Sequence, residues 1–215
     1  MRNIYVVIFR ENKIIVKSKK RKEIIEYKFE NIDTYPNVPL YANLFQDKID
    51  INEVRKDLNK SFKGDILKNT LILRPKAFVS WPDDTTYIDK KAITDFFFEL
   101  FKSTPPLLVN ECTSLTPIEE QDYISIYRSC RMFVITYIKR KGIEAQKFIE
   151  NKDYTVDEMR VFINSLHDDC VFNKLNIYLN GEGMEKYSVL GKVVEKEELL
   201  DNLLKLTEGI VRKKK

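Results

Sequence analysis

A glycine-bearing turn, Asn180-Gly181-Glu182-Gly183, follows an apolar stretch and precedes a helical pattern. Glycine there would free the backbone for a tight turn, and a lone Gly-x-Gly serves a plain strand-to-helix turn. Three arginines, Arg10, Arg128 and Arg131, stand at two short turns and could draw an anion. Basic side chains are ordinarily exposed, so solvated arginines are the competing expectation. His167-Asp168-Asp169-Cys170 sets the only histidine close to a cysteine. Nucleophile–base pairs normally converge from distant segments, so this run reads as the polar end of a helix. The adjacent carboxylates Asp83 and Asp84, or Glu119 and Glu120, give no metal cage as sequence neighbours and read as solvated charge. One histidine and three widely spaced cysteines, Cys112, Cys130 and Cys170, exclude His-rich metal sites and a disulfide framework. No metal and no cofactor is expected.

The elements that must position these residues come from an ordinary globular composition. The 215 residues are 43% apolar and 33% charged, which argues against disorder and allows one large or two small domains. No apolar run approaches the roughly 20 residues of a membrane span. Ile4 to Phe9 is too short for a signal-peptide core, so the expectation is a cytoplasmic protein, with any membrane contact peripheral and at the inner face. The net charge of +4 is mild. Its basic clusters, Lys17 with Lys19 to Lys22, Lys139 to Lys141 and Arg212 to Lys215, lack interleaved aromatics, so they give no strong nucleic-acid signal and read as solvated.

Apolar runs at 3–10 and 13–19 form a hairpin, and Ile24 to Phe29 adds a third strand. Val54, Leu58 and Phe62 recur at helical spacing. Lys76 to Trp81 is a strand ending at Pro82. A helix from about Ile88 to Phe101 follows, with Thr85 and Thr86 as caps and Asp89 in its first turn. Leu107 to Asn110 is a short strand, and Thr116-Pro117 opens a helical turn containing Glu119 and Glu120. The order then starts again. Tyr123 to Tyr127, Met132 to Ile138 and Ile143 to Ile149 are strands. Thr155 with Glu158 is a capping box that opens a helix through Phe162 and Leu166. Leu175 to Leu179, a short helix over Met184 to Leu190, Val193 to Glu195 and a leucine-striped final helix complete the chain. Two halves, 1–118 and 119–215, thus share one element order. Each predicts a mixed five-stranded sheet with helices, an α/β fold.

Residues 74–93 carry a resemblance. Arg74, Pro75, Pro82, Thr86, Asp89, Lys90, Lys91 and Ala92 fall in gapless register with a stretch of the bacterial rod-shape family MreB. The doubled element order resembles the wider actin and Hsp70-like superfamily, whose two ribonuclease H-like halves face a central cleft. This resemblance implies two phosphate-holding hairpin turns, each with an Asp for the metal's water shell and Gly and Thr beside the phosphates. In the first turn Val7 stands for the Asp, Phe9 for the Gly and Arg10 for the Thr. The second, Ile126-Tyr127-Arg128-Ser129-Cys130-Arg131, has neither Asp nor Gly. A triphosphate would meet Phe9 and Tyr127, and magnesium would lose its carboxylates. The glycine turn of Gly181, Glu182 and Gly183 corresponds to the family's contact with adenine and ribose. Glu111 falls near the family's water-positioning carboxylate, but without a held phosphate it reads as a helix cap or a surface charge.

The resemblance therefore implies a short, degenerate actin-like protein with no catalytic residues and no room for the family's large outer subdomains. It would bind a protein partner, its own copies or an actin-like filament included, as a scaffold in bacterial cell-shape or envelope assembly. A pseudo-actin scaffold of pilus or secretion machinery, and a nucleotide- or nucleic-acid-binding module, are the alternatives.

Overall fold

The computed structural model describes residues 4–10, 12–20, 23–30, 37–45, 49–62, 76–101, 106–116 and 120–212. The chain divides into two compact units, one within Met1–Trp81 and Thr85–Val109, the other formed by Pro82–Asp84 and Asn110–Lys215.

In the first unit, β1 (Ile4–Arg10), β2 (Lys13–Ser18) and β3 (Ile24–Lys28) form an antiparallel ladder, and β4 (Lys76–Trp81) lies parallel to β1. With β5 (Leu107–Asn110) the strand order is β3-β2-β1-β4-β5. Among the described residues, helices α1 (Ile51–Ser61) and α2 (Tyr87–Phe101) belong to this unit. Strand β1 is apolar throughout its buried length because a central strand of such a sheet is covered on both faces. Tyr5, Val7 and Phe9 share one face, where Tyr5 meets Phe62 at 5.2 Å and Phe101 at 5.5 Å. Phe9 packs edge-on against Phe97 at 5.8 Å and Tyr41 at 5.9 Å. Helix α2 starts at a reciprocal cap. The Asp89 carboxylate accepts the Thr86 N–H at 2.8 Å, and the Thr86 hydroxyl oxygen accepts the Asp89 N–H at 3.2 Å.

The second unit repeats the plan. Strands β6 (Tyr123–Arg128), β7 (Met132–Lys139) and β8 (Gly142–Glu150) are antiparallel, while β9 (Asn176–Gly181) runs parallel to β6 and β10 (Lys192–Val193) parallel to β9. The order β8-β7-β6-β9-β10 is that of the first sheet. Helices α3 (Val156–Asn164), α4 (Asp168–Phe172) and α5 (Lys196–Arg212) accompany it. The Thr155–Glu158 capping box opens α3 as expected. Among the described residues, no helix is long and apolar enough to cross a membrane.

Several expectations are corrected. The helix expected through Leu166 ends at Asn164, and His167 begins a second one as N-cap, its Nδ1 accepting the Asp169 N–H at 3.0 Å. The apolar spacing runs on through Leu166, so it hides the break. The turn after Asn110 is a 3-10 turn over Glu111–Ser114, and Glu120 is not helical. Residues 117–119, like Arg74 and Pro75 of the resembling stretch, lie outside the described residues. Lys17 is not solvated: it sits within β2 at 7% exposure.

Trp81, the only tryptophan, lies in β4 and reports on the first unit. Phe97→Ala is expected to cost about 3–5 kcal/mol through the cavity it leaves. A denaturant melt followed by Trp81 fluorescence checks this; an unchanged midpoint would show that the aromatic cluster does not hold the unit.

Candidate functional site

The hairpin turn from β6 to β7 is closed by side chains. The Ser129 N–H donates to the Met132 carbonyl at 3.0 Å, and the Ser129 hydroxyl oxygen accepts the Arg131 N–H at 3.0 Å. That hydroxyl donates to Asp84 Oδ2 at 2.6 Å. Arg131 Nε donates to the same oxygen at 3.2 Å, and its Nη2 to the Asp84 carbonyl at 3.1 Å. The Asp84 side chain is 0% exposed, so a full carboxylate lies buried under the turn with a guanidinium and a hydroxyl as partners. It is not the solvated charge expected of it. Pro82–Asp84, which follows β4, delivers it into the second unit.

Arg128 ends β6 beside Gly181 of β9. Its Nε donates to Asn151 Oδ1 at 2.9 Å, its Nη2 stands 3.9 Å from Asp153, and its guanidinium lies 5.0 Å from the centre of the Phe133 ring. Both glycines of the Asn180–Gly183 turn answer to this neighbour. Gly181 has φ +104°, and a Cβ there would stand 2.1 Å from the Arg128 carbonyl oxygen. Gly183 has φ +64°, and its Cβ would stand 3.2 Å from Arg128 Nη1. Close backbone approach and left-handed φ thus account for the glycines, while Glu182 is exposed. The structure brings Arg128, Gly181 and Gly183 together, and gives Arg131 an acidic partner from its own unit. Arg10 belongs to the first unit, where its Nη1 donates to the Phe9 carbonyl at 2.6 Å.

Glu111, expected as a cap or surface charge, is neither. It is 0% exposed, and its Oε1 accepts from Asn180 Nδ2 at 2.6 Å. Beside it, Asp83 Oδ1 accepts the Cys112 N–H at 2.9 Å, and the Tyr123 hydroxyl donates to the Cys112 carbonyl at 2.7 Å. Burial and the charge of Glu111 push the Asp83 carboxyl up to about 7. Burial also pushes the Cys112 thiol well up, so it is no thiolate nucleophile.

The bulky residues of the two turns are both buried. Phe9 points into the aromatic cluster of its own unit because it alternates with Ile8 along β1. Tyr127 is 6% exposed on β6. In the His167–Cys170 run, Asp169 accepts from the Tyr137 hydroxyl and from Lys139 Nζ, both at 2.8 Å. The Lys139 hydrogen bond holds its carboxyl below the ordinary range, and burial pushes the Cys170 thiol up. This is a structural cluster. All three cysteines are free thiols. Among the described residues, no three His, Cys, Asp or Glu side chains are placed to hold a metal ion.

No protein-family model matches the chain, and no curated protein matches its sequence. Solved structures do. MreB5 of Spiroplasma citri bound to ADP superposes with a TM-score of 0.56 at 9% identity, covering 100% of this chain and 98% of that one. A non-polymerising mutant of MamK bound to AMPPNP gives 0.58 at 12% identity, covering 96% and 99%. The filament structure of AlfA from a Bacillus subtilis plasmid gives 0.54 at 11% identity, covering 94% and 98%. Two five-stranded mixed sheets of one strand order, matched over essentially the whole length to these proteins, give the chain an actin-like fold.

Proposed function

We propose that this chain is a non-catalytic actin-like protein that works by binding other protein chains, its own copies included, as a scaffold component of bacterial cell-shape or envelope assembly. The buried Asp84 carboxylate carries the reading. A magnesium triphosphate needs open backbone N–H groups and a carboxylate to order the metal's water. In the second turn, Ser129 and Arg131 already hold an anion, and it is Asp84. In the first, Val7 and Phe9 are buried in the core of their unit. These residues do not fit the nucleotide. The similarity to a filament of AlfA and to MreB5 favours a cytoskeleton-like role built on protein contacts. Large apolar side chains left exposed, Tyr87 at 84% and Phe172 at 83%, are candidate contact points.

Two outcomes are expected. The purified chain releases phosphate from magnesium-ATP no faster than a buffer blank, and Glu111→Gln changes nothing. Magnesium-dependent turnover lost in Glu111→Gln overturns the reading. Asp84→Ala leaves Arg131 without its acidic partner and costs about 3 kcal/mol. Inorganic sulfate, supplied to Asp84→Ala, is expected to restore part of that stability in a thermal melt. No difference between Asp84→Ala with and without sulfate would show that the Asp84 position is not an anion position.

A further inference from the structure

Asp83 is built into the second unit with one oxygen answered and one not. Its Oδ1 accepts the Cys112 N–H at 2.9 Å, whereas its Oδ2 is buried and has no hydrogen-bond partner among the described residues. A buried carboxylate oxygen without a donor is costly, and the cost rises when a second carboxylate stands beside it. That second carboxylate is Glu111, fully buried and fixed by the Asn180 amide.

Burial and the charge of Glu111 outweigh the Cys112 N–H and thiol, the neighbours that favour a charge on Asp83. Asp84 is committed to Ser129 and Arg131. The Cys112 thiol is kept neutral by burial, and the Tyr123 hydroxyl donates to the Cys112 carbonyl instead. Lys141 lies 5.1 Å from the centre of the Tyr123 ring and donates to Thr116 Oγ1 at 2.6 Å.

We propose that Asp83 is a neutral carboxylic acid in the folded chain, with the proton on its buried Oδ2, and that this proton pins Pro82–Asp84 to the second unit. One proton removes a charge from beside Glu111 and from an oxygen that no donor answers among the described residues. The segment it pins is the one that delivers Asp84 to the β6–β7 turn, so release of the proton loosens that closure too. The inference holds whether or not the chain binds nucleotide, since every group in it lies within one unit.

The Asp83 carboxyl is raised from 3.8 to about 7 on folding. The folded chain thus keeps a proton that the unfolded chain releases above about pH 4. Stability falls with rising pH between about 4 and 7, by about tenfold in the folding constant per pH unit, and is level above that.

Asp83→Asn tests this in the full chain. It keeps the acceptor for the Cys112 N–H and replaces the titrating proton with a permanent N–H donor. The ratio of folding constants, variant over parent, is expected to rise at least tenfold between about pH 5.5 and 8 in urea melts, because other carboxyls cancel in the ratio. The Cys112 amide is expected to lose exchange protection above about pH 7 in the parent and to keep it in Asp83→Asn. A ratio independent of pH, or a variant less stable than the parent at about pH 8, overturns the proposal. If the variant does not fold, the Asp83 side-chain carbonyl of the parent, followed by carbon NMR, decides. A midpoint near 7 supports the proton, and a midpoint below about 5 overturns it.

Discussion

A carboxylate sealed away from water must be given a cation and donors where it lies, or the segment carrying it cannot stay there. Asp84 meets that demand with Arg131 and Ser129, and much of the second unit's architecture follows from it. The chain leaving β4 has to enter the second unit to bring Asp84 in. Ser129 has to be a small hydroxyl residue, since it both closes the β6–β7 turn and donates to the carboxylate. Arg131 has to lie along the turn instead of reaching outward. Pro82 and Asp83 are carried along, which sets Asp83 beside Cys112 and Glu111.

The same closure bears on chemistry. A phosphate-holding turn works by leaving main-chain N–H groups pointing at empty, positively polarised space. Here the Arg131 and Met132 N–H groups are taken by the Ser129 hydroxyl oxygen, and the basic side chain is taken by Asp84. The glycines of the neighbouring turn keep the left-handed backbone that such turns use, yet the space beside them holds Arg128. A fold shared with nucleotide-bound proteins says nothing by itself about whether its sites are retained.

The fold was legible because its signals are local. Apolar runs marked β1, β2, β6 and β7, and Thr155 with Glu158 marked the start of α3. The site was not legible for the opposite reason. Asp84 meets Ser129 and Arg131 across 45 and 47 residues, and Glu111 meets Asn180 across 69, so no spacing rule joins them. Burial of a charged residue also cannot be read without its partner, which is why Asp84 and Glu111 read as solvent-facing. Phe9 was legible as bulky but not in direction; alternation along β1 sends it to the helices, where Phe97 receives it.

Isothermal titration of magnesium-ATP into the full chain decides whether these turns still hold a nucleotide, because it reads occupancy without needing turnover. With the second turn closed on Asp84, no saturable heat is expected up to about 1 mM nucleotide, an affinity ceiling of about −4 kcal/mol. A saturable one-to-one isotherm at micromolar nucleotide would contradict it.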